Sequence, residues 1–150
     1  MDAFLRRCAT RARPTQLLRV GDVGRLSRTF SREDVADFAR LTLDDNPLHD
    51  DQSFAASHTF GAPVVHGMLY ASMFSAIIGM RSPGAVYMKQ TLAFRKPVHL
   101  GDTVTAEVEV EKSGRSGRLL DFATRCTNQR GELVLSGDAR VMLPAEALID

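Results

Sequence analysis

Residues 43–51 contain the densest group of polar side chains in the sequence, with four carboxylates, one amide and one imidazole. Asp44 and His49 are five residues apart, a spacing that does not place both on one face of a helix. Pro47 favours a turn, which can direct the two side chains toward a common point. A histidine beside a carboxylate can activate a water molecule. Spacing alone, however, favours a plainer interpretation, in which the acidic loop is solvated and its histidine exposed.

A second candidate lies in residues 60–68, where Gly67 stands at the expected start of a helix. The first amide groups of a helix have no partner within it, and such N–H groups can hold a carbonyl oxygen on which negative charge develops. Gly67 is equally explained by close packing at the helix entrance. The sequence leaves both explanations open.

Other kinds of site are not supported. A calcium loop beginning at Asp44 would have His49 where glycine is required and Ala55 where glutamate is required. The four histidines show no tight spacing typical of zinc ligands. Nucleophile elbows, phosphate-binding loops and dinucleotide-binding glycine patterns are also absent from the sequence. We therefore expect no metal site.

Local signals predict the elements that position these residues. A strand is predicted over 23–30, and Ser31 is placed to cap a helix over 32–42 by accepting from the amide of Asp34. A short second helix is predicted over 51–57.

Residues 67–79 contain no charged residue and are apolar on nearly every side, which predicts one helix that is buried all round. Glycine-rich turns then separate four predicted strands, at 86–94, 103–110, 119–126 and 133–141. A buried helix followed by antiparallel strands predicts an α+β domain whose sheet wraps around the helix.

The 150 residues, 44% hydrophobic and 25% charged, fit one globular domain, which we assign to residues 17–150. Lys and Arg number 19 against 18 for Asp and Glu, so net charge gives no reason to expect nucleic acid or an anionic membrane as a partner. The longest apolar run is too short to span a bilayer. Cys8 and Cys126 show neither disulfide nor metal spacing, which favours free thiols in a reducing compartment.

Residues 1–16 form a separate element with four arginines and one acidic residue, Asp2. This composition favours a mitochondrial targeting segment, although Asp2 is untypical of one. The alternative is a basic tail on a bacterial cytosolic protein.

Together, the two motifs resemble those of the MaoC-type, or (R)-specific enoyl-CoA hydratase, family of hotdog-fold proteins. The family pattern Asp-x-Asn-Pro-aliphatic-His is matched at 44–49, and Pro-aliphatic-Val-His-Gly-Met at 63–68. Residues 94–102 match a later Phe-x-x-Pro-Val and Gly-Asp stretch. The resemblance extends over about residues 18–143 and implies a single hotdog domain.

One position departs from the family pattern, which has glycine directly before the aspartate where this sequence has Leu43. If that position requires a positive φ, leucine strains the turn. Because both catalytic-type residues are present, we expect a tolerated variant. The departure is also the one feature that favours a non-catalytic domain that binds acyl thioesters.

The resemblance implies a role for each matching residue. His49 would be the principal base, and Asp44 would share the proton relay, for a water that adds to C3 of a trans-2-enoyl thioester. The reverse reaction would dehydrate an (R)-3-hydroxyacyl thioester. The Gly67 amide would hold the thioester carbonyl. Asn46 and Ser75 would support the catalytic residues. His66 and Met68 would contact the substrate.

The resemblance further implies a homodimer and no cofactor, since water and a polarised thioester are sufficient for the reaction. With a mitochondrial presequence, dehydration of 3-hydroxyacyl-[acyl-carrier-protein] in the matrix fits best. Without one, hydration of enoyl-CoA in a bacterial cytoplasm fits equally well. A hotdog thioesterase ranks lower, because those families lack the Asp-x-Asn-Pro-x-His loop.

Overall fold

Six antiparallel strands form one sheet in the computed structural model, which describes residues 18–145. The elements follow in the order β1 Val23–Thr29, α1 Arg32–Thr42, α2 Gln52–Ser57, α3 Gly67–Ala71, α4 Met73–Arg81, β2 Val86–Gln90, β3 Ala93–Phe94, β4 Thr103–Ser113, β5 Leu119–Thr127 and β6 Leu133–Met142. The strand order is β1-β4-β5-β6-β2, with β3 also paired to β6. The predicted α+β class is confirmed, whereas the predicted N-terminal element at 1–16 lies outside the described residues.

The core forms between one face of the sheet and the helices. Side chains of β4 alternate in burial, and Val104, Val108 and Val110 are 0–4% exposed. Helix α4 contacts β1 and β4 and buries Phe74, Ile77 and Ile78. Burying each such side chain contributes about 1.5–3 kcal/mol. This packing fixes the position of α4 relative to the sheet.

Helix α1 begins as its sequence predicts. The Ser31 hydroxyl accepts from the Asp34 amide at 3.1 Å, and the Asp34 carboxylate accepts from the Ser31 amide at 2.9 Å. This reciprocal capping box satisfies two backbone donors that the helix itself leaves unpaired.

The predicted single helix over 67–79 is wrong in two respects. It is divided at Ser72 into α3 and α4, and it is not buried all round. The sheet covers only one side of α3 and α4, the helix pair. The other side is an exposed stripe formed by six residues: Met68, Ser72, Ser75, Ala76, Gly79 and Met80. Among the described helices, none is long and apolar enough to cross a membrane.

The predicted strand over 86–94 is also divided, into β2 and β3. At the break, the Thr91 carbonyl lies directly against Gly137 of β6, where a side chain would collide with it. The Gln90 side-chain amide donates to that carbonyl at 2.8 Å and to the Thr124 hydroxyl at 2.9 Å. The Thr91 amide still donates to the Asp138 carbonyl of β6 at 2.9 Å, and regular strand pairing with β6 resumes at Ala93.

Candidate active site

Leu43 is the C-cap of helix α1, and its backbone adopts the left-handed conformation with φ 64° and ψ 18°. Its amide donates to the Ala39 carbonyl at 2.7 Å. Among residues 18–145, Leu43 is the one non-glycine residue with a positive φ. The position therefore has the conformation that favours glycine, and the leucine side chain, 84% exposed, gains little from packing.

The loop after Leu43 is held by hydrogen bonds to its own backbone. The Asn46 side-chain oxygen accepts from the Leu48 amide at 3.1 Å, and the Asn46 carbonyl accepts from the His49 amide at 3.0 Å. Arg32 of α1 donates to the Asp50 carbonyl at 3.0 Å. Asn46 therefore forms two hydrogen bonds within the turn that carries His49.

His49 is half-buried, and its ring orientation is set by a backbone carbonyl. Nδ1 lies 2.7 Å from the Val64 carbonyl oxygen. A carbonyl oxygen only accepts, so Nδ1 carries the hydrogen, and Nε2 is the unprotonated nitrogen whenever the ring is neutral. The candidate base is therefore Nε2 of His49.

His66 lies beneath His49 and is 2% exposed. The two imidazole rings are stacked, with centroids 3.6 Å apart and planes 25° from parallel. His66 Nε2 donates to the Asp44 carbonyl oxygen at 3.0 Å, and Phe38 packs against the ring with its centroid 5.0 Å away. This burial leaves the imidazole little surface for the substrate contact expected of His66.

The nearby Asp44 carboxylate does not make His66 a cation. Asp44 Oδ2 lies 3.9 Å from His66 Nε2. Desolvation by burial is nevertheless the largest effect and lowers the pKa of His66, with the charge of His49 acting in the same direction. We therefore treat this contact as a neutral imidazole beside a carboxylate rather than as an ion pair.

Asp44, His49 and His66 offer donor atoms that all lie within 4.8 Å of one another. Two histidines and one carboxylate can form a transition-metal site. In this arrangement, however, the rings are stacked, so their in-plane lone pairs do not converge on one ion. Each ring also commits one nitrogen to a backbone carbonyl. The geometry does not fit a metal centre, and it fits a pair of groups acting on a water molecule.

Gly67 is the first residue of α3 and lies against the ring of Phe94. A Cβ at this position would lie 2.8 Å from the Phe94 Cζ, closer than van der Waals contact allows. Close packing therefore explains the glycine, while its amide remains available for the expected oxyanion role. Phe94 itself is 51% exposed and packs edge-on against Tyr70.

Two expected site residues, Met68 and Ser75, lie on the exposed stripe of α3 and α4. The Ser75 hydroxyl is exposed and donates to the Ser72 carbonyl at 3.1 Å, a bond within the helix pair. Met68 is 58% exposed on the same stripe. The structure thus brings together Asp44, His49 and His66, but it gives Ser75 no hydrogen bond to His49.

Sequence reasoning missed three contributors to the site. The Val64 carbonyl orients His49, Phe38 packs on His66, and Phe94 covers Gly67. Every residue has a backbone carbonyl, so the sequence does not indicate that the one of Val64 orients His49. The contact of Phe38 with His66 depends on the tertiary fold, since the two residues are 28 positions apart in the sequence.

The family model described as a MaoC like domain matches residues 21–129. The chain belongs to the MaoC-like domain family. It is 47% identical over 131 residues to an (R)-specific enoyl-CoA hydratase of Aeromonas caviae, covering 86% of this chain and 98% of that protein. It is 40% identical over 133 residues to a mitochondrial 3-hydroxyacyl-[acyl-carrier-protein] dehydratase of Solanum lycopersicum, covering 87% and 81%.

The solved structure of an (R)-hydratase from A. caviae superposes with a TM-score of 0.82 at 46% identity, covering 86% of this chain and 99% of that one. This MaoC-like chain has the hotdog fold of that neighbour, with the central helices α3 and α4 packed against one face of the antiparallel sheet. It is a hydro-lyase of the hydratase and dehydratase type.

Proposed function

We propose that the chain catalyses the reversible interconversion of trans-2-enoyl and (R)-3-hydroxyacyl thioesters. The observation that carries this proposal is an Asp44 carboxylate oxygen within 4.8 Å of a nitrogen of the His49 ring, whose Nδ1–H is fixed by the Val64 carbonyl. This arrangement leaves Nε2 as the basic nitrogen of His49 and brings a carboxylate close to the ring, in a solvent-accessible loop. The likeness to hydratases and dehydratases supports the same chemistry.

In the hydration direction, His49 Nε2 takes a proton from a water molecule held with the help of Asp44. The water oxygen forms a bond to C3, and the electrons of the C2–C3 double bond move toward the thioester carbonyl. C2 then gains a proton from the Asp44–His49 pair, so one water is added and nothing leaves. Acid–base catalysis of this kind contributes about 10²–10⁴-fold in rate.

The Gly67 amide would donate to the thioester oxygen as negative charge develops there. Removing one donor of this type from an enzyme costs about 10²–10³-fold in kcat. Water and this polarisation complete the reaction, so the proposed mechanism requires no cofactor.

For the carrier and direction, we infer dehydration of 3-hydroxyacyl-[acyl-carrier-protein] in the mitochondrial matrix. The five arginines among residues 1–20 support this choice, as does the likeness to the mitochondrial dehydratase of Solanum lycopersicum. The likeness to the bacterial hydratase supports the alternative, enoyl-CoA hydration in a bacterial cytoplasm. The paired Asp44 and His49 make a non-catalytic thioester-binding role the weaker hypothesis.

We further infer that two copies pair through the exposed stripe of α3 and α4. The stripe is made of small and apolar residues, and it contains no charged side chain. The edge strand β2 also exposes Val86 and Met88, at 50% and 54%. An exposed stripe without charged side chains is typical of an interface, and a second copy of the same stripe would cover it.

The test is a hydration assay on the full chain with trans-2-enoyl-CoA and trans-2-enoyl-acyl-carrier-protein, which follows loss of the conjugated thioester absorbance. We expect turnover to the (R)-alcohol, and a loss of at least about 10²-fold in Asp44→Asn and in His49→Ala. Asp45→Asn and His58→Ala are matched controls that keep activity. An inactive, folded wild-type protein on both carriers would refute the proposal.

A further inference from the structure

His66 has two structural connections that no other described residue combines. Its backbone immediately precedes Gly67, as the N-cap of α3. Its side chain reaches 22 residues back along the chain to the Asp44 carbonyl oxygen, 3.0 Å from Nε2. One residue therefore joins the turn that carries the candidate acid–base pair to the amide that would bind the thioester oxygen.

The protonation of this ring follows from its partners. Because the Asp44 carbonyl only accepts, Nε2 carries the hydrogen. Nδ1 is buried and has no hydrogen-bond partner, so a second proton there would be a buried donor without an acceptor. The charged groups acting on the ring are His49, which opposes its protonation, and Asp44 and Asp50, which favour it. Burial outweighs these two carboxylates, so the ring stays neutral with the hydrogen on Nε2.

The turn that His66 holds is the strained one. The Asp44 carbonyl follows directly after Leu43, whose φ of 64° is unfavourable for a leucine. Nothing in the Leu43 side chain stabilises that conformation, since it is 84% exposed. A buried donor fixed to the next carbonyl therefore opposes relaxation of the turn.

We propose that His66 is a positioning residue that holds the Asp44–His49 pair at its working distance from the Gly67 amide, through the hydrogen bond from Nε2 to the Asp44 carbonyl. This inference rests on the proposed hydratase function. It replaces the expected contact of His66 with substrate, because the ring is covered by His49 and Phe38.

The variants His66→Phe and His66→Gln separate the hydrogen bond from the packing. Phenylalanine keeps a flat ring beneath His49 and removes the donor. Glutamine loses the ring but offers an amide N–H that can reach the Asp44 carbonyl. We expect His66→Phe to lower kcat on the order of 10²-fold, as small displacements of reacting groups do, with KM changed less than about twofold. We expect His66→Gln to recover most of that loss.

His58, an exposed histidine outside the site, provides matched controls as His58→Phe and His58→Gln, and both should leave kcat unchanged. Equal kcat in wild type and His66→Phe would overturn the inference while the hydratase function stands. Equal losses in His66→Phe and His66→Gln would overturn it too, because the donor would then not be the group that matters.

A second measurement depends neither on turnover nor on the folding of a variant. Nitrogen-15 NMR of the imidazoles in the wild-type chain should show His66 with hydrogen on Nε2 alone at neutral pH. A His66 ring protonated on Nδ1 at neutral pH would overturn the inference. A wild-type chain without hydratase activity would refute the proposed function instead, and this measurement would still test the tautomer.

Discussion

At the scale of single residues, Leu43 places an energetic cost directly beside the candidate acid–base pair. A left-handed conformation costs a residue with a Cβ about 1–2 kcal/mol. The capping hydrogen bond to the Ala39 carbonyl and the anchor from His66 to Asp44 hold the turn against that cost. Strain retained next to reacting groups is a common feature of functional sites, and its effect on stability can be measured directly.

Replacing Leu43 with glycine should therefore stabilise the fold. The gain from relieved strain is partly offset by the greater freedom of glycine in the unfolded chain. We expect the free energy of unfolding to rise by up to about 1 kcal/mol, measured by urea denaturation. Leu43→Ala is the matched control, since it shortens the side chain but keeps the Cβ. An equal gain in both variants would show that the exposed side chain, and not the backbone conformation, causes the cost.

At the scale of the elements, Gly67 and Phe94 connect α3 to β3. A methyl group on Gly67 would overlap the Phe94 ring, so either the ring must rotate away or the helix must shift. The overlap follows from tertiary packing, and it leaves the Gly67 amide chemically intact. Packing and oxyanion binding can therefore be separated by mutation.

We expect Gly67→Ala to lower hydratase activity and to lower stability by about 1 kcal/mol, the low end for overpacked sites, because the Phe94 ring is half exposed and can move. The double variant Gly67→Ala with Phe94→Ala should regain much of both, because the ring that collides with the methyl group is gone while the amide remains. Phe94→Ala alone is the control. Thermal unfolding and kcat/KM measure the two effects, and a double variant as impaired as Gly67→Ala would contradict this account of the contact.

The elements predicted correctly are those specified by nearby residues. Ser31 and Asp34 predict the start of α1 because both partners of the capping box lie within one turn. The break between β2 and β3 depends on Gly137, 46 residues beyond Thr91, and no local pattern reveals it. The same distinction applies to the candidate site. The local motif predicts Asp44 and His49, whereas the stacking of His49 on His66 depends on the tertiary fold.

At the scale of the whole molecule, the exposed stripe on α3 and α4 explains why the prediction of a fully buried helix was wrong for a single chain. The sequence has no polar face there, and the sheet covers only one side. In the proposed homodimer, the second copy covers the exposed stripe. The helices are then buried on both sides, as their uncharged sequence predicts.

Introducing a charge into this stripe should separate the two copies. We expect Ala76→Arg to convert a dimer into a monomer at micromolar concentration, because an arginine in an apolar interface loses its hydration without gaining a partner. Light scattering coupled to gel filtration measures the mass. Ala36→Arg, at an exposed position of α1, is the matched control and should remain dimeric. A wild-type chain that is monomeric would contradict the homodimer proposal.

The candidate groups Asp44, His49 and Gly67 all fall within one short stretch of the chain, before β2 to β6 begin. Outside contacts to this stretch come from two parts of the chain. Helix α1 supplies Phe38, which packs on His66, and Arg32, which donates to the Asp50 carbonyl. Residues 94–99 supply the ring of Phe94 and the Val98 carbonyl, which accepts from the Val65 amide at 2.7 Å. A transplant of the chemistry onto an inactive hotdog scaffold should therefore need residues 32–68 together with the side chains at 94–99, and residues 43–68 alone should not be sufficient.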